Sequence, residues 1–169
     1  MEGGTQVVVP HPSKQSAHGA PAKRAHDPVT VVILGASGDL AKRKLIPALF
    51  QLERAGYLPE AFAVVGFARS EMTDAGYRDA MGKALREAVP AAELTADPPL
   101  LNALYYSPGD NTDVEAFRRL KAKLEAVERE RGLPGNRLFY LSVAPEFFGT
   151  IIRNPVSYTH LTLPTNREV

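Results

Sequence analysis

Residues Val31 to Lys44 constrain this chain more than any other stretch. An apolar, β-branched run, Val31-Val32-Ile33-Leu34, feeds directly into Gly35-Ala36-Ser37-Gly38, and a helical pattern then begins. A buried parallel strand, a tight glycine turn and a helix N-terminus together make a phosphate cradle. Backbone N–H groups and the positive end of the helix dipole face the same anion there. The small residues fall as Gly35-x-x-Gly38-x-x-Ala41, one residue wider at the first step than the usual G-x-G-x-x-G/A. Lys42, Arg43 and Lys44 follow within the first two turns. Positive charge there opposes the macrodipole by roughly 0.3–1 kcal/mol per exposed residue. A bound polyanion reverses that sign, so the stretch reads as a nucleotide-phosphate site. The alternative, a corner whose glycines serve geometry only, leaves the basic triplet unexplained.

The rest of the composition narrows the class. The chain has 169 residues, enough for one ordinary domain, and a net charge of +1, which offers no global field for nucleic acid or a membrane surface. It has no cysteine, so disulfides, thiolate catalysis and cysteine metal sites are excluded. No apolar run approaches the roughly 20 residues of a membrane span. Residues 1–27 are rich in Pro, Ala, His, Ser and Lys without periodicity, and are expected to be a disordered leader. A cytoplasmic protein is the default.

From Pro28 the pattern alternates strand and helix. Strands are expected at 29–34, 61–67, 104–106 and 137–143. The first helix runs from about Asp39 to Ala55, with Pro47 inside it as a kink or restart. Thr73 N-caps a second helix, in which Met72 and Tyr77 are spaced as a hydrophobic staple. Thr112-x-x-Glu115 reads as the capping box of a third helix. Phe117, Leu120, Leu124 and Val127 form its buried stripe, and Gly132 with Pro134 stops it. Its charges between 118 and 131 read as a solvated face. Residues 146–153 open a fourth helix. Successive βα units with right-handed crossovers imply an α/β, Rossmann-like parallel sheet of strand order 3-2-1-4.

In that fold the tip of the second strand meets the adenosine ribose. An acid there binds a free 2′-hydroxyl, whereas an arginine accommodates a 2′-phosphate. The tip reads Gly66-Phe67-Ala68-Arg69-Ser70, with no acid before Glu71. Arg69 offers a planar fork suited to phosphate, and Ser70 one more donor. NADP is therefore expected over NAD.

The run from Gly35 to Leu45, then Pro47-Ala48-Leu49, Gly66-Phe67-Ala68-Arg69, Asn136-Arg137-Leu138-Phe139-Tyr140-Leu141 and Pro145 closely resemble the coenzyme domain of the glucose-6-phosphate dehydrogenases, over about residues 29–154. The resemblance implies NADP-linked oxidation of glucose 6-phosphate to 6-phosphogluconolactone, within the pentose phosphate pathway, by a homo-oligomeric whole protein. By position it implies that Gly35, Ala36, Ser37, Gly38, Asp39, Leu40, Ala41 and Lys42 line the pyrophosphate and that Arg69 meets the 2′-phosphate. It further implies that Lys44 faces the sugar-phosphate side and that Ala144-Pro145 lies near the nicotinamide. Phe148 falls where some relatives carry a cofactor-contacting tyrosine.

The family's later motifs, E-K-P-F-G and H-Y-L-G-K-E, are absent, as is its catalytic histidine. The histidines are His11, His18, His26 and His160, none within 28–154, and no cluster has metal-ligand spacing. Residues 155–169 carry two prolines and no Ala or Gly, and read as a non-native tail on a truncated coenzyme domain spanning 28–154. The expected function is that of an inactive N-terminal dehydrogenase fragment. The alternatives are a non-catalytic NADP-binding module and a fragment of another NADP oxidoreductase.

Overall fold

Each β-branched or aromatic run between the helices becomes a strand of one parallel sheet. The computed structural model describes residues 5–8 and 27–151. The strands are β1 (Thr5–Val8), β2 (Val29–Leu34), β3 (Phe62–Ala68), β4 (Leu104–Pro108) and β5 (Arg137–Leu141). Their order is β1-β5-β2-β3-β4, with every pairing parallel. The four strands from Val29 onward therefore take the expected 3-2-1-4 arrangement.

Side-chain alternation sorts the core into two layers. Val31, Ile33, Val64, Leu104 and Tyr106 face α1 (Ile46–Arg54), α2 (Asp74–Ala88) and the short α3 (Pro99–Asn102). Val32, Leu34, Val65, Phe67 and Phe139 face α4 (Val114–Arg131), whose Phe117, Leu120, Leu124 and Val127 are buried as the stripe predicts. All seven residues of β3 are buried, as a central strand covered on both faces requires.

Local punctuation explains the helix ends. Thr73 Oγ1 accepts from the Gly76 N–H at 3.0 Å, and Gly132 takes the left-handed conformation at φ 66°. The first helix starts at Asp39 and passes through a π-turn at Ala41–Leu45 before α1. In that turn the Ile46 N–H reaches back to Ala41 O. The wider turn seats Pro47, which has no N–H to continue the α ladder. The Pro47 irregularity is thus absorbed without ending the helix.

Three expectations need correction. The capping box is not formed: Asp113, not Thr112, caps α4 by accepting from the Glu115 N–H at 2.9 Å. Thr112 is intercepted by Asp110, to which both its N–H and its hydroxyl donate. The charges of α4 are not all solvated. Glu128 is buried against Arg137, Lys123 pairs with Asp74 at 2.7 Å, and the Arg131 Nε donates to Phe62 O. Within the expected leader, Thr5–Val8 is a strand in register with Arg137 to Tyr140. The free edge of β5 offers an unpaired row of N–H and C=O groups, which Thr5–Val8 satisfies. The remainder of the leader and the tail lie outside the described residues.

Candidate functional site

The carboxyl ends of β2, β3, β4 and β5 surround a cleft of about 440 Å³. Open parallel sheets bind ligands at this edge, where strand order reverses. Gly35, Ser37 and Gly38 contribute from the turn after β2, Arg69 and Ser70 from the end of β3, and Asp110, Asn111 and Thr112 from the end of β4. Ser142, Val143, Ala144 and Phe147 contribute from beyond β5.

The turn is built around Gly35, which holds φ +87°. A Cβ there would stand 2.1 Å from Ser142 O, so only glycine lets β2 and β5 close at their tips. The N–H groups of Gly35 and Ala36 both donate to Phe67 O, and that of Gly38 donates to Gly35 O. Those three are engaged. Gly38 O accepts from the Lys42 N–H, which leaves the first-turn N–H groups of Asp39, Leu40 and Ala41 at the helix N-terminus without α-helical partners. Donors for an anion therefore come from this first turn, while Gly35 and Ala36 shape it.

The side chains expected around the pyrophosphate divide accordingly. Ala36 and Ala41 are fully buried, Ala41 supplying the close helix–sheet packing that the third small residue of such a turn serves. Asp39 and Leu40 are exposed, and Asp39 approaches Arg43 at 3.9 Å. Lys42 is half-buried and Lys44 exposed, and neither lines the cleft. Arg69 and Ala144 do line it, and the Ser70 hydroxyl donates to that of Ser37 at 3.3 Å, joining the two loops. Phe148 packs against the α4-side core, and Phe147 is the phenylalanine at the cleft.

The far wall was not anticipated from the sequence. Asp110, Asn111 and Thr112 follow a strand tip, the one signal that could have singled them out. The bonds from the Thr112 N–H and hydroxyl, with a smaller contribution from the Arg69 charge, hold the Asp110 carboxyl below the usual carboxylate range. Ser142 Oγ is buried with no partner among the described residues.

The cleft thus brings together a helix N-terminus, the Arg69 guanidinium and the Ser37 and Ser70 hydroxyls, groups that can donate hydrogen bonds to an anionic ligand. Among the described residues no group of His, Asp or Glu could hold a metal ion, and no helix is long and apolar enough to cross a membrane.

Residues 32–167 match the glucose-6-phosphate dehydrogenase NAD-binding domain as a family. The chain is 37% identical over 155 residues to the chloroplastic glucose-6-phosphate 1-dehydrogenase of Nicotiana tabacum, covering 90% of this chain and 26% of that protein. It is 38% identical over 136 residues to the Chlamydia muridarum enzyme, covering 79% of this chain and 27% of that one. A solved glucose-6-phosphate dehydrogenase in complex with its substrate glucose 6-phosphate superposes with a TM-score of 0.67 at 30% identity. That superposition covers 83% of this chain and 29% of the other. The chain thus spans about a quarter of the length of the curated relatives it matches.

Proposed function

Because the chain belongs to the glucose-6-phosphate dehydrogenase family, in its NAD-binding domain, we propose that the cleft binds NADP in preference to NAD. Arg69 and the Ser37–Ser70 hydroxyl pair meet the 2′-phosphate, and the first helical turn from Asp39 receives the pyrophosphate. The observation that carries this reading is the position of Arg69. It stands in the cleft at the end of β3, where an acid would favour a free ribose hydroxyl.

Calorimetric titration with NADP⁺ and NAD⁺ tests it. A charge-assisted bond is worth roughly 1.5–3 kcal/mol, so NADP⁺ is expected to bind about 10- to 100-fold more tightly. Arg69→Ala should abolish most of that difference. Equal binding of both coenzymes by the unaltered chain overturns the assignment.

For the whole protein we propose oxidation of glucose 6-phosphate at C1 to the 6-phosphogluconolactone, the activity named for its relatives. A bound nicotinamide coenzyme supplies the hydride acceptor. The C1 hydroxyl must lose its proton as the hydride leaves, which calls for a base. No histidine lies among residues 27–151, and the cleft carboxylate of Asp110 is held in its weakly basic form by Thr112. We therefore infer that this chain alone binds coenzyme without turning over the sugar. Sustained NADPH production by the purified chain on addition of glucose 6-phosphate would overturn that inference.

A further inference from the structure

Behind the cleft, without lining it, stand two buried tyrosines from different elements. Tyr77 of α2 is 0% exposed and Tyr106 of β4 is 3% exposed, with ring centroids 5.0 Å apart at 34°. The Tyr106 hydroxyl lies 3.0 Å from Ala68 O and 2.6 Å from Ser70 O, the two carbonyls that flank Arg69. The Tyr77 hydroxyl donates to Ala36 O, inside the glycine turn, at 3.3 Å. Gly66 makes room for this contact: a Cβ there would lie 2.9 Å from Tyr77 Cζ and 2.7 Å from Ala36 Cβ.

Neither hydroxyl is needed to fill the core, since a phenylalanine ring occupies the same space. A buried hydroxyl is unfavourable unless it is bonded. Both of these are bonded to carbonyls of cleft loops. Both phenols carry their protons at neutral pH, as any tyrosine does, and burial raises their pKa further, that of Tyr106 to about 12.

We propose that Tyr106 and Tyr77 are positioning residues of the coenzyme cleft. Tyr106 clamps the backbone on either side of Arg69 so that its guanidinium is presented to the 2′-phosphate. Tyr77 fixes the glycine turn that shapes the pyrophosphate end. The inference rests on the reading of the cleft as an NADP site. The two rings, packed at a tilt, join the two loops, so that both ends of the dinucleotide are gripped by one buried pair.

The two hydroxyls make different predictions, because only NADP carries the 2′-phosphate. Tyr106→Phe removes one hydrogen-bonding hydroxyl, and should weaken NADP⁺ about three- to tenfold in calorimetric titration while leaving NAD⁺ within about twofold. Tyr77→Phe should weaken both coenzymes by a similar factor. In Tyr106→Phe, amide hydrogen exchange at Arg69 and Ser70 should also quicken. Equal losses for both coenzymes in Tyr106→Phe, or no loss, overturns the proposal, and so does a Tyr106→Phe chain that fails to fold. Arg69→Ala separates the two levels. If it abolishes NADP⁺ preference and Tyr106→Phe leaves that preference undiminished, only the positioning role fails. If Arg69→Ala changes nothing, the 2′-phosphate site itself is misplaced, and the positioning role falls with it.

Discussion

Glu128 of α4 and Arg137 of β5 form a two-pronged ion pair, in which Nε donates to Oε1 at 2.8 Å and Nη2 to Oε2 at 2.9 Å. The side chains are only 8% and 10% exposed. The pair ties the last turns of α4 to the strand that lies between β1 and β2. Breaking one partner of a buried pair leaves the other charge without compensation, at about 3–5 kcal/mol. Glu128→Ala is therefore expected to lower stability by that order in denaturant titration without altering the ratio of NADP⁺ to NAD⁺ affinity. A loss below about 1 kcal/mol, the range of an exposed pair, would show that the contact is solvated instead.

Gly35 and Gly56 separate backbone strain from steric clash. Both have positive φ, +87° and +75°, but a Cβ on Gly56 meets nothing within 4 Å. Gly56→Ala should cost about 1–2 kcal/mol for the left-handed conformation alone. Gly35→Ala adds the collision with Ser142 O, roughly 1–3 kcal/mol more, and should abolish coenzyme binding by displacing the turn. Thermal unfolding of the two variants side by side checks the difference. Equal losses would mean that the β2 and β5 tips move apart freely.

Asp110 places a negative charge in the same cleft as Arg69. Asp110→Asn keeps an acceptor for Thr112 but removes that charge, so NADP⁺ should bind more tightly while NAD⁺ changes little. The carboxyl is held below its ordinary range, so mild acid does not mimic the substitution. NADP⁺ titrations of the variant and the unaltered chain, at neutral and mildly acidic pH, test both statements. Weaker NADP⁺ binding by the variant would mean that Asp110 orients Arg69 instead of opposing the phosphate.

The buried phenols set an alkaline limit. Unfolded, both ionise near pH 10. Folded, burial, with a smaller contribution from the Glu71 charge, raises Tyr106 to about 12, and burial raises Tyr77 as well. The folded state then binds more protons than the unfolded state between those values. The stabilisation is present in full below about pH 10 and is lost as the pH rises through about 12. Chemical denaturation across that interval should show the decline, and the chain with both tyrosines changed to phenylalanine should show a shallower one. Matching slopes would remove the tyrosines as its cause.

Much of the architecture is legible in short windows. The β-branched run before Gly35, the Thr73 cap, the α4 stripe and the stop at Gly132 each depend on neighbours within a few residues, and each stands where the pattern puts it. Arg69 is legible too, because strand tips in a parallel sheet share one edge. The Thr112 cap was misplaced because Asp110, two residues away, competes for the same hydroxyl. Nothing in the helical period distinguishes that bond from a capping box. The cations at 42–44 follow the same turn; Arg43 approaches Asp39 one turn back, and none of the three lines the cleft.

The sequence by itself determined the strand–turn–helix unit, the parallel order and the edge at which the cleft lies. These follow from periodicity, glycine conformation and the handedness of crossovers, all of which act locally or by general rule. Tertiary structure alone decided which charges are buried, what closes the cleft and what holds its loops. Glu128 meets Arg137, Asp74 meets Lys123, and Tyr106 reaches back to Ala68 and Ser70 only once the sheet has assembled. Contacts between residues tens of positions apart leave no period in the chain. Their strength comes from the desolvated surroundings that folding creates.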